Sequence, residues 1–477
     1  MHHRRLVPLI IATAFFMENT DSTVISTSLP VIAGDLGADP IALKLAITSY
    51  LVSLAVFIPI SGWMADRFGS RNVFAAALAV FMAGSLACAA ASSLGGFVLA
   101  RFFQGMGGAM MIPVGRLVIL RSVPKSEVVQ ALATLTIPAL IGPIMGPPLG
   151  GFITTYFHWR WIFFIKIPIG LLGIFLTLRY IPNIREDAPP LDIVGFFLSG
   201  IGMALLMLGL ATSGRHLLPI EASIACMIVG GIMVLAYIPH MRRTANPLLQ
   251  LGLLKTATYR ASILGGSLFR VGVGAIPFLL PLMLQLGFGL NPLQSGSITF
   301  VATVGALFVK ALAKPILARW GFRRVLAVNA LIGSAFIAAH GTFTASTPFW
   351  LMIAVLLLGG CFRSLQFTSI NAIGYADLSS KDMGSATSIS GVAQQLSLSI
   401  GVAIGGFVLD AAAQSRGGGT LIAADFAPAF FVVAAVSAFS VFSFWGLKPD
   451  AGAEMSGHQA VGQKTPSSGM GDGMNER

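Results

Sequence analysis

Apolar residues in this chain run on for about twenty positions at a time, separated by short polar joints. Fourteen such runs can be marked, over residues 7–29, 45–64, 73–92, 97–118, 131–155, 161–181, 192–212, 221–240, 260–286, 295–316, 325–343, 349–371, 385–411 and 427–446. An α-helix needs roughly 20 apolar residues to cross the hydrocarbon of a bilayer. Strands of a membrane barrel would instead alternate polar and apolar positions, and these runs do not. The pattern predicts an all-α polytopic membrane protein with fourteen transmembrane helices.

The pattern also repeats. DRFGSRNV (Asp66 to Val73) returns as ARWGFRRV (Ala318 to Val325), GPPLGGF (Gly146 to Phe152) as GVAIGGF (Gly401 to Phe407), and RFFQ (Arg101 to Gln104) as RSLQ (Arg363 to Gln366). The offsets are 252, 255 and 262 residues, in the same order along the chain. Runs 1–6 and 9–14 therefore read as two copies of one six-helix unit, with runs 7 and 8 inserted between them. The expected organisation is an N-terminal half over 1–190, two linking helices and an inner linker over 191–258, a C-terminal half over 259–447, and a disordered tail over 448–477. The linker Arg242 to Arg260 is the expected hinge. Membrane transporters are commonly built from such repeats, with substrate bound near the midplane between them.

Composition sharpens this. The 477 residues are 55% hydrophobic and 10% charged, against about 25% charged in soluble domains. The net charge of +12 is explained by topology rather than by nucleic acid, because membrane proteins gather Lys and Arg in cytoplasmic loops. With the N-terminus inside, inner loops and tails hold 19 of the 30 Lys/Arg and outer loops hold four, so both termini are expected in the cytoplasm. The six tryptophans fall at predicted span ends, as an interfacial belt requires. The first run is expected to be an uncleaved span, since acids follow at once without a small-residue cleavage site. His158 and His340 read as interfacial polar residues. Cys88, Cys226 and Cys361 lie inside apolar runs and read as small packing residues.

Nine charges are read as embedded in the runs rather than belonging to loops or run ends: Arg101, Arg116, Lys166, Arg270, Lys310, Lys314, Arg363, Glu18 and Asp21. Each costs about 2.5–3.5 kcal/mol at a helix centre, which implies a polar interior rather than lipid contact. Glu18 and Asp21, three residues apart, share a helix face. Two close carboxylates in low dielectric repel, so one of them is pushed toward holding a proton. This makes the pair a candidate proton-coupling site, with Arg101 as its candidate partner. The alternative is a static ion pair. Arg101 with Gln104 and Arg363 with Gln366 each present a guanidinium and an amide on one face, suited to an anionic or polar group or to joining helices. Lys314 is expected to snorkel. Gln104, Arg116, Arg270, Lys310, Arg363, Gln366 and Asn371 form the candidate substrate set. Seven cations against two acids favour an anionic, zwitterionic or metal-chelate substrate.

SGWMADRFGSR (Ser61 to Arg71) resembles the loop G-x-L-x-D-R-x-G-R of the major facilitator superfamily, and LARFFQGMGGAMMIP resembles its fourth-span R-x-x-Q-G motif. IGPIMGPPLGG (Ile141 to Gly151) is similar to the fifth-span G-P-x-x-G-G of its antiporters. FFMENTDSTVISTSLP and HWRWIFFIKIPIG are similar to motifs of the fourteen-helix drug:proton antiporters (EmrB/QacA type), most of all the MdtD-type branch. Lys166, where that motif has Asn, Glu18 as an extra acid, and Ser70 in place of a basic residue are departures. The resemblance implies a major facilitator fold and proton-coupled export by alternating access, placed in a bacterial inner membrane.

Under this resemblance Gly62, Asp66, Arg67, Gly69 and Arg71 form a gating loop. Arg67 and Arg71 are expected to pair with inner-loop acids. Gly142, Gly146, Pro147, Gly150 and Gly151 form the antiporter motif, whose small residues allow close helix approach and whose prolines are expected to kink the helix. The chain shows no nucleotide-binding, metal-ligand or nucleophile-elbow motif. The expectation is therefore no enzyme activity, no cofactor beyond the coupling proton, and no metal. The expected partners are a small-molecule substrate and the bilayer, without nucleic acid, in a protein working as a monomer. The rival readings are export of small organic or metal-chelate anions and, more remotely, a non-transporting sensor or channel.

Overall fold

The computed structural model describes residues 2–37, 44–213, 219–290, 292–417 and 421–458, apart from a few side chains within those ranges. Its elements in chain order are α1 (His2–Asp35), α2 (Lys44–Phe57), α3 (Ser61–Phe68), α4 (Ser70–Ala90), α5 (Leu94–Ser122), α6 (Lys125–Tyr156), α7 (Trp161–Phe164), α8 (Lys166–Tyr180), α9 (Ile193–Ser213) and α10 (Ile220–Arg243). There follow α11 (Ala257–Arg260), α12 (Gly266–Leu282), α13 (Pro292–Phe308), α14 (Ala313–His340), α15 (Phe349–Ile373), α16 (Met383–Ser415), α17 (Ala423–Ala438), α18 (Ser440–Trp445) and α19 (Ala453–Ser456). Helices satisfy their own backbone polar groups, which is what an apolar solvent demands. Large side chains such as Phe175, Leu235, Phe308 and Phe442 are more than 60% exposed, the outer surface of a body surrounded by lipid.

Every one of the fourteen predicted runs falls on helix. Among the described residues, however, ten helices are long and apolar enough to cross a membrane, or eleven if α2 and α3, bent by 57° across a short break, are one span. The difference has local causes. The tenth run breaks after Phe308 and resumes at Ala313, and α14 carries the end of that run and most of the eleventh across a non-helical Gly321. Helices α1 and α6 both include side chains outside the described set.

Packing forms two groups. α1 lies along α6, α5 lies between α2 and α4, and α8 touches α1 and α4. In the later sequence α12 lies along α16 and α17, and α15 lies between α13 and α14. α9 and α10 pair with each other, and α9 also touches α2 and α16. The groups meet where α3 and α5 touch α16 and where α6 touches α13, α14 and α15. The repeat is visible in the backbone. Gly69 and Gly321, 252 residues apart in the matching octapeptides, have φ of 91° and 70°, a region costly to residues with a β-carbon.

Three expectations are corrected here. The tail is ordered at first: α19 packs on α6 and α14, Met455 is buried, and the His458 ring reaches the Ala318 carbonyl at 3.0 Å. Residues 459–477 lie outside the described set. Trp159 is buried and its Nε1 donates to Asp35 at 3.0 Å, so it is an internal residue, whereas Trp161, Trp320, Trp350 and Trp445 are exposed at helix ends. His340 is also buried, stacked on Phe430. At the linker expected as a hinge, the Tyr237 hydroxyl donates to the Leu249 carbonyl and accepts from the Leu249 amide, and the Gln250 amide donates to Ser385.

Candidate functional site: a buried charge cluster between helix groups

α1 carries both acids inward. Asp21 is fully buried and Glu18 is 8% exposed. One Asp21 oxygen accepts from Arg101 Nη1 of α5 at 2.6 Å; the other accepts from Gln104 Nε2 at 3.1 Å and from Lys166 Nζ at the start of α8. Gln104 also takes a bond from Arg101 and gives one to Ser85 of α4. The Arg101 guanidinium lies 4.4 Å from the centre of the Tyr50 ring of α2. A lone buried carboxylate would be costly, but one held by two cations and an amide is stabilised by charge and by hydrogen bonds together. Glu18 is held less firmly: Tyr50 donates to it at 3.4 Å and Asn19 at 3.5 Å.

The candidate substrate residues do not form one set. Gln104 belongs to the acid cluster. Arg116 of α5 donates from Nη2 to Gln394 of α16 at 3.0 Å, joining the two groups, and its charge is within reach of both Glu18 and Arg270. Arg270 of α12 donates from Nη2 to Asn371 of α15 at 3.0 Å, while its Nε and Nη1 are buried without a partner. Lys310, Arg363 and Gln366 stay inside the later group. Lys310 donates to Thr368, Gln366 accepts from Asn329 and donates to the Leu326 carbonyl, and Arg363 borders a small apolar cleft with Phe269, Ile337 and His340.

The reason is visible in how the repeat diverges. Gly146 approaches α1 at Thr23 and the Val24 amide, and its counterpart Gly401 approaches α12 between the Val271 carbonyl and the Ala275 amide. That register sets Gly272 opposite Asp21, so Arg363 has no equivalent carboxylate.

The expected gate residues sit where the groups touch. The Gly62 amide donates to Ser388 Oγ at 2.8 Å, and a β-carbon on Gly62 would collide with the Gly384 carbonyl of α16. The Asp66 carboxylate lies against Gly384 and accepts from Arg121 Nη2 at 2.6 Å. Arg121, expected in a loop, is in the last turn of α5. Arg67 and Arg71 are not in ion-pair reach of an acid among the described residues, and Arg71 instead donates to Asn72. At Gly69 the side chain of Asn183 fills the place of a β-carbon. Of the antiporter motif, Gly142 approaches the Phe16 carbonyl and Gly146 approaches Thr23, while Gly150 is buried. α6 runs unbroken from Lys125 to Tyr156. The side chain of Pro147 and the surroundings of Gly151 lie outside the described residues.

The other ends of α2 and α16, away from this contact, border a cavity. This cavity, of about 530 Å³, opens between α2, α9, α10, α12 and α16, lined by Leu51, Met207, Ile224, Phe278 and Phe407 with Thr48, Ser399 and Asp410. That volume lies in the range of small-molecule pockets. Sequence reasoning missed this wall from the inserted helices, since its residues are ordinary apolar ones.

The Major Facilitator Superfamily profile matches residues 11–257 and 262–468. The putative multidrug resistance protein MdtD of Salmonella heidelberg (strain SL476) is 38% identical over 403 residues, covering 84% of this chain and 85% of the relative. The protein of that name from Pectobacterium atrosepticum is 37% identical over 400 residues, covering 84% and 86%. The structure is similar to the human organic anion transporter MFSD10, with a TM-score of 0.66 at 13% identity, covering 92% of this chain and 99% of that one. It is also similar to the proton:xylose symporter XylE, with a TM-score of 0.67 at 15% identity, covering 94% and 97%.

Proposed function

The chain belongs to the major facilitator superfamily, as a multi-pass membrane transporter of the multidrug type and not an enzyme, and from that premise we propose that it exports small molecules in exchange for protons. The observation that carries the proposal is the pair of buried carboxylates on α1, set among Arg101, Arg116 and Lys166. Protons enter from the open end, a carboxylate takes one up, and the change in charge biases the swing between outward- and inward-facing states. The end closed by Gly62 and Gly384 is the cytoplasmic one, with both termini on that side of a bacterial inner membrane. The described arrangement is then the outward-facing state. Residues 1–190 and 259–447 act as the two moving halves, and residues 191–258 link them. A membrane potential adds about 2.3 kcal/mol per charge per 100 mV to such a cycle.

The test uses inverted membrane vesicles with an imposed pH gradient and a lumenal pH dye, screened with cationic, neutral and anionic solutes. The expected result is proton release from the vesicles on adding a transported solute, absent from vesicles lacking the protein. No solute-linked proton movement across the whole screen overturns the proposal.

A second reading, export of small organic anions, is favoured by one observation. Arg270, 2% exposed, keeps two unpartnered nitrogens beside Arg116. An anion there would satisfy both. Arg270→Gln is expected to abolish transport of any anion the parent moves; unchanged anion transport rejects this reading.

A further inference from the structure

We infer that Glu18, and not Asp21, is the carboxylate whose protonation the opposite helix group senses, with Tyr50 positioning it and Arg116 relaying its charge to Gln394. The inference rests on the proton-coupled reading above and assigns its coupling group. A coupling group must meet two requirements. It must have room to gain and lose a proton, and its charge must act across the surface where the halves separate.

Asp21 meets neither requirement. Both its oxygens are engaged, by Arg101, Gln104 and Lys166. These donors come from α5 and α8, which pack with α1 in the same group. A proton arriving at Asp21 would have to displace two cations, and no contact described for the cluster belongs to α12–α18. Asp21 is a fixed anchor that joins α1, α5 and α8.

Glu18 meets both. Its hydrogen bonds from Tyr50 and Asn19 are at the long end of the useful range, and no cation lies within ion-pair distance of it among the described residues. The charged and titratable groups around it can be named helix by helix. On α1 there is Asp21, on α2 Tyr50, and on α5 Arg116, with Arg101 stacked on the far side as a cover for the Tyr50 ring. α8 offers Lys166, which Asp21 holds. α6 has no titratable side chain between Glu127 and Tyr156. Across the divide, α12 brings Arg270 beside Arg116, the turn after α15 brings the Tyr375 hydroxyl to it, and α16 brings the neutral Gln394.

Tyr50 reaches this position because Gly108 of α5 leaves it space: a β-carbon there would lie 2.6 Å from the tyrosine hydroxyl. The relay follows from charge. With Glu18 ionised, Arg116 is balanced from within its own group and holds Gln394 of the other. When Glu18 takes up a proton, the local charge rises by one. Arg116 and Arg270, on helices of opposite groups, then repel with less compensation. The contact between α5 and α16 weakens, and the halves are released to move.

The test needs no substrate. Infrared difference spectra of the purified full chain in lipid, between mildly alkaline and mildly acidic buffer, report formation of a carboxylic acid. The parent and Asp21→Asn are expected to show the acid band, and Glu18→Gln to lose it. If Asp21→Asn fails to insert, Asp21→Asn with Lys166→Met, which removes a cation along with the anion, takes its place. Retention of the band in Glu18→Gln together with its loss in the Asp21 variant overturns the assignment.

The relay is tested separately by spin labels on α3 and α16, whose separation is read at the same two pH values. Gln394→Leu is expected to keep the infrared band and lose the pH-dependent change in separation. A full pH response in Gln394→Leu overturns the relay. Should both results be as expected while the vesicle screen shows no solute-linked proton movement, the exchange reading fails and the Glu18 assignment stands.

Discussion

Gly62 of α3 crosses Gly384 of α16 with their backbones in direct contact, the Gly62 amide bonded to Ser388 and no room for a β-carbon between them. In the proposed cycle this crossing holds the closed end shut and the other state separates these helices, so a side chain at either glycine acts on the closed state alone. Overpacking a tight contact costs about 1–3 kcal/mol, which converts to a population shift of roughly 5–150-fold. Gly62→Val is therefore expected to favour the state open at this end. The measurement is the rate at which a cysteine placed at Ser388 reacts with a water-soluble maleimide added from the side of the termini. An unchanged rate in the Gly62→Val background would show that the crossing does not restrain the gate.

Asp21 balances two buried cations, so its loss leaves both uncompensated. Breaking a buried ion pair from one side costs about 3–5 kcal/mol. Asp21→Asn is expected to lower the thermal midpoint sharply, and Lys166→Met in the same chain to recover part of it. The size of that recovery, read from a double-mutant cycle, measures their coupling. Additive effects of the two substitutions would mean that Lys166 and Asp21 do not form the pair described.

These two results also mark what the sequence made legible. The apolar runs located the helices, the matching octapeptides located the turns at Gly69 and Gly321, and the acids stood out because charge in an apolar run is costly. Arg101 was readable as the partner of Asp21 for the same reason. Lys166 was visible as an embedded charge and as a departure from a motif, but not as a partner of Asp21, which lies 145 residues away. Tyr50 and Gln394 gave no signal, because a single neutral polar side chain in a membrane helix is common. Arg363 misled by symmetry. It copies Arg101, but the register of α12 sets Gly272 where α1 has its acid. The inserted helices were legible as spans and not as a cavity wall, because apolar residues facing a cavity and facing lipid look alike.

Asp35 at the C-terminal end of α1 accepts from Trp159 Nε1 at 3.0 Å and from Arg160 Nη1 at 2.7 Å. The Trp159 hydrogen bond, and then that from Arg160, hold its carboxyl below the ordinary aspartate range. The sign follows from linkage. A lowered folded pKa gives stability that is fully present above the unfolded value, about 3.9, and is lost as pH falls through the lowered folded value. The thermal midpoint of the parent is expected to fall in that acidic window more steeply than that of Asp35→Asn. Parallel curves for the two proteins would remove Asp35 from the account.

The tail makes the last case, because two kinds of contact hold it and they are expected to differ in weight. Glu454 of α19 meets Lys125 of α6 at 3.2 Å, with the two side chains 70% and 41% exposed. Exposed pairs contribute about 0–1 kcal/mol, so Glu454→Gln is expected to change the thermal midpoint little. Met455 is 1% exposed, and His458 covers the bare α-carbon of Gly321 while reaching the Ala318 carbonyl. Truncating a buried Met to Ala costs about 2–5 kcal/mol. Because α19 bridges α6 of one group and α14 of the other, that loss falls on the state closed at this end. Met455→Ala is therefore expected to act as Gly62→Val does, raising maleimide access at Ser388, with Glu454→Gln remaining near the parent. If the order is reversed, with the charge change opening the gate and the apolar one silent, the tail is held by electrostatics and the burial of Met455 has no part in closure.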